Sequence, residues 1–398
     1  MKILWVKSDF LHPTTKGGQI RTLEMVKVLK RRHEIHYVGF EDPAQPEGVA
    51  RSVEYCHRAY PIRHYVPDKA SLAFTAQVLK GLFSPIPAAI YRYESEDMKK
   101  TVDRLINTER FDRVVCDFLI PSINISRMDR ALLFQHNVES IIWQRRAEHG
   151  GGSLARLFLQ LQTERMFQYE DRVCREAGHV VAVSPIDAKL MRNLFGLTRL
   201  SSIPTGVDID YFSPLQTPRQ MTDLVFVGSM DWLPNVDGVL YFVREILPVI
   251  RRKRPDCSIA IVGRTPPPEV IELARDPNIL VTGTVADVRP FLWGAHASIV
   301  PLRIGGGTRL KIYESMAAGT PAISTTIGAE GLEISSPDNI RIADSPADFA
   351  EQCLELLGDG AAREAMAANA RDFVTRRFSW DRIASRFEEI LEQSPGTR

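Results

Sequence analysis

Apolar and polar positions alternate along the first half of the chain in two ways. Short apolar runs, which predict buried strands, occur at residues 2–6, 34–40, 113–116, 131–135 and 179–183. Between them lie longer stretches in which apolar side chains return every three or four residues, most clearly at 19–30 and 153–176. Strands that alternate with helices in this way predict a parallel sheet covered by helices.

The second half of the chain repeats this alternation. Its apolar runs predict strands at 224–227, 258–262, 279–281, 297–300 and 322–324. Between the two sets, residues 203–214 contain Pro204, Gly206 and Pro214, which interrupt regular structure. The pattern therefore predicts two α/β domains, at 1–205 and 206–376, followed by a segment at 377–398 that contains an amphipathic helix.

Length and composition agree with two ordinary globular domains. A chain of 398 residues is too long for one hydrophobic core. No apolar run approaches the roughly 20 residues that cross a membrane, so we expect a cytoplasmic protein. The five cysteines show no CxxC pair and are odd in number, which favours a reducing compartment and argues against a zinc knuckle.

Charge is distributed unevenly along the chain. Residues 1–205 hold 30 basic and 23 acidic residues, a net charge of +7, whereas the remainder has a net charge of −6. A basic first half is typical of proteins that meet an anionic partner such as the cytoplasmic face of a membrane. An excess of this size is equally typical of an ordinary solvated surface, so both interpretations stay open at this point.

Residues 301–332, PLRIGGGTRLKIYESMAAGTPAISTTIGAEGL, contain the densest group of candidate functional residues. Three glycines allow a sharp turn after a predicted strand, and Thr308 is placed to cap a helix that runs to Ala318. Free N–H groups and cations near a helix start favour an anion, and a carboxylate farther along can accept ribose hydroxyls. The residues of this predicted phosphate-ester pocket are Arg303, Gly305, Gly306, Gly307, Thr308, Arg309, Lys311 and Glu314.

This segment resembles the nucleotide-sugar pocket of family 4 retaining glycosyltransferases, and the resemblance extends along most of the chain. It implies the GT-B fold, in which two doubly wound Rossmann-like domains face each other across a cleft. Residues 1–205 would then lie on the acceptor side and residues 206–376 would bind the nucleotide sugar. The helix within 377–398 would cross back to cover the first domain.

The resemblance also assigns roles to individual residues. His136, in LLFQHNVES, matches a histidine that contacts the transferred sugar, and Gly17 and Gly18 match glycines whose amides approach the diphosphate. Arg309 and Lys311 would stabilise the departing diphosphate. A strand-end histidine bonded to backbone and an ordinary strand-to-helix turn remain the structural alternatives for His136 and the two glycines.

Two positions depart from the common family pattern. Many relatives have an arginine and a lysine after the first strand of the second domain, whereas FVGSMDWLPNVDG offers Ser229, Met230 and Asn235. Gly306 also stands where a first glutamate is usual, and Glu314 matches the second. The GGGTRLK form belongs to a recognisable branch, so we interpret the pocket as a variant in which the later loop supplies the cations.

Metal and cofactor sites are not expected. Asp208 and Asp210 imitate a metal-binding DxD motif, but they lie in the predicted linker with no phosphate loop beside them. The chain has no HExxH, Walker or zinc-spaced motif, and nothing beyond weak basicity favours nucleic-acid binding. We therefore expect transfer without a metal ion.

The sequence thus predicts a retaining glycosyltransferase that uses a nucleotide-diphosphate sugar and a hydroxyl of a glycan or lipid-linked acceptor. An epimerase of GT-B shape is an alternative, although it would need an acid and a base carboxylate that do not stand out. A catalytically silent glycan-binding or scaffold protein is a third hypothesis, favoured by Gly306 and by the missing arginine and lysine.

Overall fold

The computed structural model describes residues 1–14, 17–64, 84–148, 153–215, 221–304, 309–334, 336–394 and 396. They divide into two units by their internal contacts. The first unit combines Met1–Pro204 with Ile383–Arg398, and the second is Thr205–Arg382. Each unit contains one parallel sheet with helices packed around it, as the sequence pattern predicts.

The first unit contains a seven-stranded sheet whose neighbours all pair in parallel. Its strands are β1 (Lys2–Val6), β2 (Glu34–Glu41), β3 (Arg58–Arg63), β4 (Arg113–Asp117), β5 (Ala131–Gln135), β6 (His179–Ala182) and β7 (Leu200–Ser202). Their order is β3-β2-β1-β4-β5-β6-β7. The direction of winding reverses between β1 and β4, which is where open α/β sheets bind ligands.

Helices connect these strands. They are α1 (Gly17–Lys30), α2 (Glu47–Ala50), α3 (Ala88–Tyr91), α4 (Glu96–Thr108), α5 (Glu139–Glu148), α6 (Ser153–Glu176) and α7 (Pro185–Phe195), with 3₁₀ turns at Arg51–Glu54, Ile120–Asn124 and Met128–Arg130. The Ser184 side chain caps α7 by accepting a hydrogen bond from the Asp187 amide at 3.0 Å, as the following proline indicates.

The second unit contains a six-stranded parallel sheet. Its strands are β8 (Thr222–Val227), β9 (Ile259–Val262), β10 (Ile279–Gly283), β11 (Ala295–Val300), β12 (Ala322–Ser324) and β13 (Arg341–Ile342). The order β10-β9-β8-β11-β12-β13 reverses between β8 and β11. Both sheets are therefore doubly wound in the Rossmann manner.

The helices of the second half are mostly short. They are α8 (Leu233–Tyr241), α9 (Leu247–Arg251), α10 (Pro268–Ile271), α11 (Arg289–Trp293), α12 (Leu310–Ala317), α13 (Pro346–Gly358), α14 (Gly360–Phe378) and α15 (Trp380–Gln393), with a π turn at Phe242–Ile246 and a 3₁₀ turn at Glu272–Arg275. Helix α12 follows the glycine-rich segment in the sequence.

The C-terminal part of α15 packs into the first unit. Phe387 lies against Trp5 and Phe134, with ring centroids 5.8 and 5.2 Å apart. Glu388 forms an ion pair with Arg32 at 2.6 Å. These contacts explain why the first unit includes the end of the chain, since the apolar face of α15 covers aromatic side chains of two strands.

Two chain-wide expectations can be compared with the fold. In the parts of the chain that the structure describes, no helix combines the length and the apolar character needed to cross a membrane. All five cysteines are free thiols and buried. The thiols therefore pack as small apolar side chains.

Candidate active site

The segment after β11 reaches the point where the second sheet reverses its winding. Gly305, Gly306, Gly307 and Thr308 lie outside the described residues, so their predicted contacts with a phosphate stay predictions. Helix α12 begins at Leu310, and Arg309 occupies the N-cap position with no hydrogen bond from its side chain to the helix start. The described helix therefore begins one residue later than the sequence predicts, and its cap position is Arg309 rather than Thr308.

Lys311 lies at the carboxyl end of β8. Its Nζ donates a hydrogen bond of 2.8 Å to Oδ1 of Asn235 and lies 4.3 Å from the centroid of Phe226. A Cβ at Gly228 would lie 2.6 Å from this nitrogen, so the glycine makes room for the ammonium group. Burial and the charge of Arg309 lower the pKa of Lys311 to about 7, against the opposing effect of Glu314.

Asn235 explains one of the departures from the family pattern. It occupies the third position of α8, in the segment where the family resemblance leads us to expect cations. In this chain its amide oxygen accepts from Lys311, and its Nδ2 donates to the carbonyl of Ser229 at 2.7 Å. The lysine of α12 therefore brings a positive charge to the place where the residue on α8 supplies none.

Glu314 lies one turn after Lys311 on the same helix. Burial raises the pKa of its carboxyl to about 7, although Lys311 opposes the shift. Among the described residues, none forms a hydrogen bond or an ion pair with this carboxylate within bonding distance. A half-buried carboxylate without a partner among the described residues can accept a hydrogen bond from a hydroxyl of a bound ligand.

The two arginines of the segment have different surroundings. Arg309 is 4% exposed, and its guanidinium lies 4.9 Å from the ring centroid of Trp232. Burial lowers the pKa of Arg309, and Glu330 opposes that shift. Arg303 instead forms two hydrogen bonds with the carboxylate of Asp237, at 2.6 and 3.1 Å. Its charge is therefore already paired within the second unit, and its role toward a diphosphate stays a prediction.

His136 follows β5 in the first unit. Its Nε2 lies 2.7 Å from Oδ1 of Asp117, and the other carboxylate oxygen lies 3.1 Å from Nζ of Lys7. All three side chains are buried. The sequence motifs indicate the histidine but not Lys7 or Asp117. The available signal was their position, because both stand at the ends of the central strands β1 and β4 where the winding reverses.

Phe118 connects this group to the glycines at the start of α1. Its ring stacks on His136 with centroids 3.8 Å apart and an angle of 9°. A Cβ at Gly18 would lie 2.5 Å from Cζ of Phe118, whereas a Cβ at Gly17 would meet nothing within 4 Å. Gly18 is thus required for packing, and the predicted approach of either amide to a diphosphate is a separate matter that stays a prediction.

A buried carboxylate fixes the chain beyond His136. Glu170 on α6 accepts hydrogen bonds from the amides of Glu139 and Ser140, at 2.9 and 2.8 Å, and from Nε2 of Gln135 at 2.6 Å. It therefore caps α5 and holds the last residue of β5. Glu139 itself accepts from Asn137 at 3.4 Å, and the group that bonds to the imidazole is Asp117.

The DxD-like pair forms a turn. Oδ1 of Asp208 accepts hydrogen bonds from the amides of Asp210 and Tyr211, at 3.2 and 2.9 Å. An aspartate whose carboxylate accepts hydrogen bonds from the amides two and three residues later is typical of an Asx turn. The structure thus gives Asp208 a local role in the chain between the two sheets.

Comparison with known proteins gives a family match within the second unit. Residues 222–359 match the protein family described as Glycosyl transferases group 1. The matched range begins with β8, ends just after α13 and contains Asn235, Lys311 and Glu314. This match covers 138 of the 398 residues and supports a glycosyltransferase.

Individual relatives are distant. The glycosyltransferase is 18% identical, over 96% of its own length and 98% of the other chain, to a Klebsiella pneumoniae protein described as an uncharacterized 44.6 kDa protein in the cps region. It is 24% identical to a Corynebacterium glutamicum GDP-mannose-dependent monoacylated alpha-(1-6)-phosphatidylinositol monomannoside mannosyltransferase. That match spans 56% of this chain and 64% of the relative, so the chain covers less than two thirds of that protein.

Solved structures show the same architecture. The crystal structure of Anabaena HepE in complex with UDP and glucose matches 99% of this glycosyltransferase and all of the HepE chain, with a TM-score of 0.66 and 14% identity. The structural neighbours of this chain are GT-B glycosyltransferases, so the expected fold is confirmed, and the family match at 222–359 supports the expected enzyme class.

Proposed function

We propose that this glycosyltransferase moves a sugar, with retention of configuration, from a nucleotide-diphosphate sugar to a hydroxyl of a glycan or lipid-linked acceptor. The observation that carries the proposal is the buried ammonium group of Lys311 at the switch point of the second sheet, with Glu314 one turn away. A crystal structure of HepE contains UDP and glucose, which supports a nucleotide-sugar donor. The Corynebacterium relative is named for a phosphatidylinositol-linked substrate, which supports a lipid-linked acceptor and a role in glycoconjugate or polysaccharide biosynthesis.

The chemical task is to stabilise the departing nucleoside diphosphate. Negative charge grows on that group as the anomeric centre becomes cation-like, so a fixed cation lowers the barrier most if it contacts the leaving oxygens. Lys311 and Arg309 have the right charge, and both are shielded from water, which strengthens their attraction for an anion. In this proposal they take the place of a metal ion, and Arg303 with the glycine-rich segment completes the donor site.

The remaining groups orient the substrate. Glu314 would bond a ribose hydroxyl, since its carboxyl can accept or donate when its pKa is near 7. His136 would contact the transferred sugar. An oxygen of the leaving phosphate would take the proton of the acceptor hydroxyl on the same face of the sugar, so the proposal assigns no nucleophile to the protein.

A calorimetric titration with UDP, GDP, ADP and their glucose or mannose conjugates tests the donor site. We expect one nucleotide to bind saturably to the wild-type protein, and Glu314→Gln to weaken it by about tenfold, because a neutral hydrogen bond to the amide replaces the charge-assisted one to the carboxylate. Glu269→Gln is the matched control, since Glu269 is exposed on α10. If the folded protein binds none of these ligands, or if both variants weaken binding equally, the assignment of Glu314 is wrong.

We also propose that the first unit contacts an anionic membrane surface at the cytoplasmic face. The net charge of +7 in residues 1–205 supports this, as do Leu157 and Leu161, which are 64% and 40% exposed on α6 beside Arg156. Apolar side chains flanked by arginine are typical of helices that lie in a lipid interface. Co-flotation with vesicles of phosphatidylglycerol but not phosphatidylcholine is expected, and Leu157→Asp should reduce it. Equal flotation with both lipids, or none, would contradict this part of the proposal.

A further inference from the structure

Asp117 is the centre of a buried polar cluster in the first unit. Its Oδ2 accepts hydrogen bonds from Thr22 Oγ1 at 2.7 Å and Trp5 Nε1 at 3.0 Å, and it lies 3.1 Å from Nζ of Lys7. Its Oδ1 lies 2.7 Å from Nε2 of His136. The Lys7 and Asp117 side chains are 2% and 0% exposed. Every partner of this carboxylate therefore acts as a donor, and two of the partners come from β1 and its end.

The charges of the cluster balance without the histidine. Lys7 and Asp117 form a buried ion pair, and removing two charges from water is tolerable only when each neutralises the other. Although burial disfavours its charge, Lys7, His136 and Thr22 hold the pKa of Asp117 well below its usual value, so it stays ionised. A proton added to His136 would create a second cation beside Lys7 and near Arg21, against one carboxylate.

The same surroundings act on the imidazole directly. Burial is the largest influence and lowers the pKa of His136 to about 4; Lys7 and Arg21 act in the same direction, and Asp117 opposes them. These are the charged groups that act on the ring from β1, α1 and β4. The imidazole is therefore neutral at physiological pH, and only one of its nitrogens carries a proton.

We propose that the Lys7–Asp117 pair holds His136 in the tautomer with its proton on Nε2, so that Nδ1 presents a hydrogen-bond acceptor to a hydroxyl of the substrate. An ionised carboxylate can only accept, so the nitrogen that faces Asp117 must be the donor. Nδ1 then has a lone pair. Lys7 and Asp117 are positioning residues in this inference, since they act through the histidine.

The orientation of the imidazole plane has a second support. Phe118 stacks on it at 3.8 Å, and Nζ of Lys7 lies 3.9 Å from the centroid of the same phenyl ring. Phe118 has a φ of 75°, a left-handed conformation that costs on the order of 1–3 kcal/mol for a residue other than glycine. Strain of this kind persists where the surroundings fix a side chain, and here it places the ring against His136.

The free nitrogen defines the chemistry of the ligand. Among the described residues, no group is hydrogen-bonded to Nδ1 of His136, and the residue follows the carboxyl end of β5, where parallel sheets bind ligands. A neutral acceptor favours a hydroxyl donor and repels a phosphate oxygen, which can only accept. The site therefore suits a sugar hydroxyl. This identification of the hydrogen-bond donor as a sugar rests on the proposed function.

The tautomer can be measured on the intact wild-type protein. Histidine labelled with nitrogen-15 gives distinct shifts for protonated and unprotonated ring nitrogens, and His136→Gln assigns the signal among the nine histidines. We expect a proton on Nε2 and none on Nδ1 at pH 7, unchanged down to about pH 5. A signal from the other tautomer, or from an imidazolium ion at pH 7, overturns the inference whether or not the protein binds nucleotides.

Variants then test the role of the ion pair. In Lys7→Met we expect His136 to protonate at a higher pH, because a cation next to it is lost, and a steady-state assay to show transfer that declines as the pH falls toward that value. Lys7→Arg should restore the wild-type pH profile because it keeps the charge. Lys99→Met, on the exposed face of α4, is the control.

Two binding measurements distinguish a wrong positioning role from a wrong proposed function. Nucleoside diphosphate affinity in Lys7→Met should stay within about twofold of wild type, whereas the added affinity from the sugar moiety should fall by about tenfold, the worth of one hydrogen bond. If Lys7→Met leaves both the titration of His136 and the sugar contribution unchanged, the positioning role is wrong. If the wild type binds no nucleotide, the proposed function fails instead.

Discussion

The switch points of the two sheets have opposite electrostatic character. In the first unit, Lys7 and Asp117 are 3.1 Å apart and the carboxylate has donors on both oxygens. In the second unit, Lys311 has an amide oxygen and an aromatic ring for partners, and no described residue bonds to the carboxylate of Glu314. One cluster is complete by itself, and the other contains two charged groups with few partners.

This difference indicates how each unit meets its ligand. A charge that is shielded from water without a counter-ion destabilises the folded protein, and its pKa shifts toward the neutral form. Both shifts are present in the second unit, where the pKa values of Lys311 and Glu314 both reach about 7. A nucleoside diphosphate would supply an anion for one and hydroxyls for the other. The first cluster instead fixes a neutral side chain in advance.

The largest expected effect comes from breaking the complete cluster. Asp117→Ala leaves the buried ammonium of Lys7 without its counter-ion and three other donors without their acceptor, so we expect a loss of about 3–5 kcal/mol in the free energy of unfolding. Urea denaturation measures it. Asp129→Ala is the control, because Asp129 forms an exposed ion pair with Arg127 and should cost less than about 1 kcal/mol.

The double variant Lys7→Met with Asp117→Leu sharpens this prediction. Replacing both partners by apolar side chains leaves no unpaired charge, so the double variant should be more stable than Asp117→Ala alone. A double variant at least as unstable as the single one would mean that the hydrogen bonds of Thr22, Trp5 and His136, rather than the ion pair, hold the cluster together.

The second unit should respond in the opposite way. Lys311→Met removes a shielded charge that forms no ion pair with any described residue, so stability without ligand should stay equal or increase, as chemical denaturation will show. The affinity for a nucleoside diphosphate should fall roughly 10- to 100-fold, since a charge-assisted hydrogen bond to phosphate is lost. A destabilised variant with unchanged nucleotide affinity would show that Lys311 is structural and would remove the contrast between the units.

Two neighbouring glycines offer a matched pair in the first unit. Alanine favours a helix over glycine by about 1 kcal/mol, so Gly17→Ala, where a Cβ meets nothing, should be neutral or stabilising. Gly18→Ala should cost about 1–2 kcal/mol, because its Cβ would displace Phe118 from the ring of His136. Thermal unfolding compares them directly. Equal behaviour of both variants would mean that Phe118 moves aside without cost.

The sequence was sufficient for the strands that are buried on both faces. Apolar runs predict β1 and β5 with the bounds that the structure has, because every position of these strands except Lys2 is buried. Strand β3 was missed. It lies at the sheet edge, five of its six residues are not buried, and it contains Pro61, so its sequence has neither a long apolar run nor a regular alternation.

The candidate site divides in the same way. Lys311, Glu314 and His136 could be found because they belong to a short segment or follow a predicted strand. The pairing of Lys7 with Asp117 could not, because 110 positions separate them and only the order β1-β4-β5 brings them to one edge of the sheet. The amide partner of Lys311 was missed for the same reason, since Asn235 lies on a different helix.

The smallest expected effect is the dependence of stability on pH in the second unit. The pKa of Glu314 is about 7 in the folded chain and 4.5 in its ordinary state, so between these values the folded protein holds a proton that the unfolded chain has released. The free energy of unfolding must then decrease as the pH rises from about 4.5 to 7. Glu314→Gln stays neutral throughout, so it should lack this decrease and be more stable than wild type above pH 7. Because the side chain is only partly shielded from water, we expect a difference in the free energy of unfolding on the order of 1 kcal/mol.

Urea denaturation at pH 5 and pH 8 measures this difference, with Glu269→Gln as control. Parallel pH profiles for wild type and Glu314→Gln would mean that the carboxylate already has a partner in the folded protein, and the contrast with the complete cluster around Asp117 would then be lost.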